Sequence, residues 1–186
     1  MTTALAWAAG GTGFTFLMTT LGAASVFLFR KRDGKLFQQV FLGFAAGVMI
    51  AASVWSLLIP AIDQAEEAGQ IGWIPAAGGF VLGVVFLMVL HQLLPHLHPG
   101  EDKPEGLPST WDRPTLLFTA VTLHNIPEGM SVGLLFAMAA QNGGDPVMFG
   151  MAVALALGIG IQNVPEGAAV ALPLLQEGMS APRAFA

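Results

Sequence analysis

The stretch TLLFTAVTLHNIPEGMSVGLLFAMAA, residues 115–140, is apolar along most of its length but carries His124, Asn125, Pro127 and Glu128 at its middle. A second apolar stretch, residues 147–175, repeats the interruption: QNVPEG at 162–167 follows HNIPEG at 124–129 by 38 positions. Residues 124–133 and 162–171 agree at five of ten positions, sharing the Asn, the Pro, the Glu, the Gly and a later Val. A segment needs about 20 mostly apolar residues to cross a bilayer as a helix. Backbone that crosses lipid must satisfy its own hydrogen bonds, so both runs predict transmembrane helices. They are continuous and too long for the strands of a barrel.

Three more runs of this kind lie upstream, at about 5–29, 36–60 and 71–94. The expected fold is therefore all-α and integral to a membrane. It is a bundle of five transmembrane helices in one domain, 1–186, with the fourth and fifth helices (115–140 and 147–175) kinked at Pro127 and Pro165. Composition agrees with this. Hydrophobic residues make up 54% of the 186 and charged residues only 10%, against about 25% charged in soluble domains. The net charge of −5 gives no case for nucleic acid, and none is expected as a partner. There is no cysteine, so disulfides and thiolate metal sites are excluded. MTTALAWAAGG lacks the basic segment of a cleaved signal, so the first run is expected to be retained.

The connections are RKRDGK, IDQAEEAGQIG, the long PHLHPGEDKPEGLPSTWDRP and QNGGDP. All seven Lys and Arg residues fall in the first loop, the third loop (about 95–113) or the C-terminal tail. Basic loops stay in the cytoplasm, which puts the N-terminus outside and the C-terminus inside. Asp63, Glu66 and Glu67 fall in the outward second loop, where acidic charge concentrates cations. The pairs Gly43/Gly47 and Gly79/Gly83 predict close helix–helix approach.

Glu128 and Glu166 each sit near the middle of a span. A charged side chain there costs about 2.5–3.5 kcal/mol on insertion scales, and such residues face a bundle interior or a wet cavity. No Lys or Arg lies in any span, and one histidine, His124, cannot neutralise two carboxylates. A bound cation can. His124 and Glu128 are spaced i and i+4, and Asn125 and Glu128 i and i+3, so they share a helix side. Gln162, Asn163 and Glu166 repeat the set, giving nitrogen and oxygen donors that suit borderline divalent metals. Pro127 and Pro165 cannot donate to the carbonyls of Leu123 and Ile161. Interrupted helices near the midplane mark transport sites. Met49, Ser56 and Asp63 lie seven residues apart, on one face of the second helix.

HNIPEGMSVG, QNVPEGAAVALPLL and GFAAGVMIAASVWSLLIPAID (43–63) resemble the paired signatures and second helix of the ZIP (Zrt/Irt-like) divalent metal transporters, in their bacterial branch. The resemblance covers essentially the whole chain and implies a multi-pass protein of the bacterial inner membrane, with a homodimer as partner state. It implies a binuclear site between the fourth and fifth helices. One metal would be held by His124, Glu128, Gln162 and Glu166 with Met49 nearby. The second would be held by Asn125, Glu128, Asn163 and Glu166. Asn163 stands where some relatives place a carboxylate, which weakens the second position. Ser56 and Asp63 would line the entry path. His96 and His98 would belong to a cytoplasmic metal-binding loop, and His91 would assist release. Zn²⁺ is the expected cargo, with Fe²⁺, Cd²⁺ and Mn²⁺ sharing its ligands, moved into the cytoplasm by alternating access. The family has eight helices, so the chain is expected to lack three, and a complementary C-terminal segment is an expected partner. Two other readings stay open. One is an intramembrane metal-dependent hydrolase, although HExxH is absent. The other is a truncated metal-binding membrane protein without transport.

Overall fold

The computed structural model describes residues 2–28, 35–98, 101–176 and 178–185. The basic residues Arg30, Lys31 and Arg32 of the first loop lie outside the described residues. In chain order the elements are α1 (Thr2–Ala23) with a 3-10 turn (Ala24–Phe27), α2 (Lys35–Ala51), a π-helical segment (Ala52–Leu58), α3 (Ile59–Glu67), α4 (Trp73–Leu93), α5 (Arg113–Gln141), α6 (Pro146–Gln176) and α7 (Ala181–Phe185). Among the described residues no strand forms, and the β-type pairing is a single bridge, His96 with Glu105.

Among the described residues, three helices are long and apolar enough to cross a membrane by length and composition: Leu42–Glu67, Trp73–Leu93 and Pro146–Leu175. α1 and α5 are 22 and 29 residues long, yet they are not in this set. Threonines recur along α1, and α5 carries HNIPEG. The α1 threonines turn inward on their own helix. Thr12, Thr15, Thr19 and Thr20 each donate a side-chain hydrogen bond to a carbonyl three or four residues back.

The helix that begins at Lys35 does not stop at Pro60 but runs on to Glu67. Proline has no N–H to give and ordinarily breaks a helix. Here it falls just after the π-helical turn, at the first positions of α3, where a missing donor is tolerated. Asp63 consequently sits on a helix, exposed, rather than in a loop.

The chain divides into two compact units. One is Met1–Met49 with His124–Ala186, and the other is Ile50–Leu123. In the first unit α1 packs extensively along α6. In lipid, helices associate through small residues and close packing rather than by hiding apolar surface from water. Gly22 of α1 rests on the Val164 carbonyl, and Gly167 of α6 rests on the Thr19 carbonyl, so a Cβ at either position would strike backbone. The expected glycine pairs do not serve this purpose. Gly43, Gly47, Gly79 and Gly83 border open space among the described residues. Near the α6 start, Phe149 meets Trp7 of α1 edge-on at 4.8 Å and Phe136 of α5 at 5.7 Å. Asp145 caps α6, accepting from the N–H of Val147 (3.4 Å) and of Met148 (3.2 Å).

In the second unit α3 packs against α4, whose large apolar side chains are mostly exposed around its whole circumference. That is the signature of a helix whose solvent is lipid. The segment after α4 folds back: His96 and Glu105 exchange both backbone hydrogen bonds, and Leu97 N–H donates to the Leu116 carbonyl at 3.1 Å.

Candidate metal site

α5 and α6 each continue as helix through their prolines, Pro127 in one and Pro165 and Pro173 in the other. This keeps the two motif copies in helical register. Their polar residues meet within the first unit. Gln162 Nε2 donates to Glu128 Oε1 at 2.5 Å. Asn163 Nδ2 donates to Asn125 Oδ1 at 3.3 Å and to the Thr15 carbonyl of α1 at 3.2 Å. Gln162 and Asn163 are 0% and 1% exposed. Glu128 and Glu166 are half-buried and within Coulombic reach of each other.

These bonds consume the amide nitrogens and leave oxygens. Glu128 Oε2, Gln162 Oε1, Asn163 Oδ1 and Glu166 Oε2 are all buried and have no hydrogen-bond partner. A buried acceptor left unmade costs about 1–3 kcal/mol, more when charged. Four such oxygens on two adjacent helices have one thing in common: each is of the kind that ligates cations. Both carboxylates contribute, so a dication there would meet two formal negative charges.

The other expected ligands lie as follows. His124 is exposed on α5, and Met49 is 38% exposed on α2. Ser56 lies on the π-helical segment, half-buried, and Asp63 on α3, both in the second unit. His91, His96 and His98 do come together, in the second unit, with their ring nitrogens within 4.8 Å of one another. Two participants carried no sequence signal. Thr15 acts through its backbone carbonyl, which any residue possesses. Glu105 reaches His96 only because the loop doubles back, placing its Oε2 3.7 Å from His96 Nε2.

The chain is similar to known proteins along most of its length. It is 35% identical to the human protein named zinc transporter ZIP11, over 94% of this chain and 73% of that protein. It is 37% identical to zinc transporter GufA of Myxococcus xanthus, over 89% of this chain and 63% of that protein. It is also 37% identical to zinc transporter ZIPB of Bordetella bronchiseptica, over 74% of this chain and 45% of that protein. No family model matches it.

Proposed function

The chain belongs to the ZIP family of zinc transporters, and from that premise we propose that it passes divalent metal, zinc foremost, through the site between α5 and α6. It is a multi-pass membrane transporter and not an enzyme, as its relatives are. The observation that carries the site assignment is the set of four buried, unpartnered oxygens on Glu128, Gln162, Asn163 and Glu166.

The chemistry follows from which atoms are already used. Gln162 spends its N–H on Glu128 and turns its oxygen free. Zinc arriving between Glu128 and Glu166 would exchange water for these oxygens and cancel their mutual repulsion. His124 and Met49 supply the softer donors that favour zinc over magnesium or calcium. A second metal would use Asn125 and Asn163 with the shared carboxylates. Asn125 Oδ1 already accepts from Asn163, so that position is the weaker of the two. Ser56 and Asp63 line the way in.

Five spans cross the bacterial inner membrane in this reading. The N-terminus is outside and the basic first and third loops lie in the cytoplasm, so metal moves inward by alternating access. A homodimer and a complementary C-terminal segment complete the assembly.

The test is zinc flux into proteoliposomes carrying the full chain. Glu128→Ala should abolish flux while leaving membrane insertion intact. Wild-type flux from that variant would sink the assignment, and metal bound without any flux from the unaltered chain would reduce the protein to a binding role.

A further inference from the structure

α4 is apolar through its 21 residues, Trp73–Leu93. At 1.5 Å per residue it is about 30 Å long, the thickness of a bilayer's hydrocarbon core. Pro95 sets where it stops. The residue before a proline is pushed out of the helical region, and Leu94 is extended, with ψ 123°. Leu93 therefore marks the level at which the chain passes from hydrocarbon to headgroups.

The loop that follows folds back to this level. Glu105 exchanges two backbone hydrogen bonds with His96, at 3.1 and 2.8 Å. Gly106 then turns at φ +83°, so close to the Leu94 carbonyl that a Cβ would strike it. Arg113 Nη1 donates to the Glu101 carbonyl at 3.2 Å and ties down the far end of the loop. The uncharged stretch LPSTW, 107–111, is thereby laid beside Leu93.

Between them is a cleft of about 550 Å³. Leu93, Pro95, Leu107 and Pro108 give it apolar walls, while Ser109, Thr110 and Trp111 bring hydrogen-bonding groups. Ser109 Oγ accepts from the Trp111 N–H at 3.0 Å and keeps its own proton to donate. Leu107 and Trp111 are 55% and 47% exposed. Tryptophan is enriched at the headgroup level because its ring is apolar and its N–H seeks a polar partner. Leu93 belongs to the cleft and also to a lipid-facing line. Leu82, Phe86, Val89 and Leu93 follow one face of α4 at helical spacing, and all are exposed. From Leu82 to Leu93 is about 16 Å, one leaflet's share of the hydrocarbon core.

We propose that the cleft and this face of α4 seat one phospholipid of the surrounding bilayer. One acyl chain lies along Leu82–Leu93, and the ester and phosphate oxygens accept from Ser109, Thr110 and Trp111. An amphiphile fits because apolar walls and donors are separated along the same line. A free phosphate would leave the walls bare, and hydrocarbon alone would leave the hydroxyls unmet. The lipid pins the folded-back loop to the end of α4. The seat rests on α4 spanning the bilayer and uses none of the residues proposed for transport.

Native mass spectrometry of the full chain in detergent micelles counts bound phospholipids. The unaltered chain should keep one more phospholipid than Leu107→Asp. The pair Ser109→Ala, Thr110→Val, which preserves the apolar walls, should lower occupancy at least threefold. Lys103→Asp, in the charged part of the loop, should leave it full. Equal counts in the unaltered chain and Leu107→Asp overturn the seat, as does an equal loss from Lys103→Asp. A dimer that Leu107→Asp dissociates also overturns it, because a second copy would then fill the cleft. Vesicles read the depth. With Trp7→Phe, Trp55→Phe and Trp73→Phe, Trp111 is the sole tryptophan. Bromine near the ester end of the acyl chains should quench it more than bromine near the methyl end, and iodide in the water should quench it little. Full quenching by iodide, with none by brominated lipid, overturns the proposal. The mass measurement keeps every tryptophan and decides the matter should the triple variant not fold. Zinc flux, measured separately, decides the transport reading.

Discussion

Gln162 and Glu128, 34 positions apart, are joined by a hydrogen bond in which the amide of α6 donates to the carboxylate of α5. It decides orientation, because the amide that gives its nitrogen to Glu128 must turn its oxygen elsewhere.

Replacing Gln162 by Leu removes both the donor to Glu128 and one free oxygen. Zinc affinity at the transport site should fall by more than tenfold while the chain still inserts. Competition with a chelating dye, in a background lacking His96, reads this directly. Unaltered affinity would strike Gln162 from the ligand set.

Asn163→Asp makes the opposite test. A carboxylate cannot donate to Thr15 and would face the Asn125 oxygen as well. The metal-free protein should lose about 1–3 kcal/mol of stability, and zinc should restore part of it. Thermal unfolding in micelles, with and without zinc, gives both numbers. A metal-free variant as stable as the parent would mean that the bond to α1 contributes nothing.

Gly167→Val forces a branched side chain against the Thr19 carbonyl. Overpacking of this kind costs about 1–3 kcal/mol. Gly43→Val, which borders open space among the described residues, should leave stability unchanged. Equal losses from the two substitutions would contradict the α1–α6 contact.

Gly106→Ala combines a left-handed backbone, worth roughly 1–2 kcal/mol for a non-glycine residue, with a collision at the Leu94 carbonyl. The loop should open locally. Limited proteolysis near Lys103 should accelerate. Cleavage at the parental rate would show that the turn does not depend on glycine.

The elements that sequence revealed are those whose chemistry is out of place in lipid. Glu128 and Glu166 stood out because charge in an apolar run requires a reason, and their i to i+4 neighbours followed from helix geometry. Three of the spans were legible from apolar length, while α1 and α5 form as helices but fall outside that set. What stayed hidden depended on contacts between distant segments. Thr15 contributes a carbonyl and has no side-chain signature. Gly22 and Gly167 are indistinguishable in sequence from Gly43 and Gly79, yet the former bear the close contact. Pro60 looked like a helix end because a π-helical turn ahead of it leaves no trace in composition. Glu105 joined the histidines through a fold-back that its loop composition does not announce.

The hydrogen bond from Asn163 to Thr15 spans 148 positions. During synthesis α1 leaves the ribosome first. At about 5–20 residues per second, roughly 7–30 s pass before Asn163 exists to find it. A nascent chain therefore has no assembled oxygen cluster until α6 is made, and the Thr15 carbonyl, which also accepts from Thr19, gains its α6 partner only then. The competence to capture a cation therefore waits on α6, after α1 has been committed to the membrane.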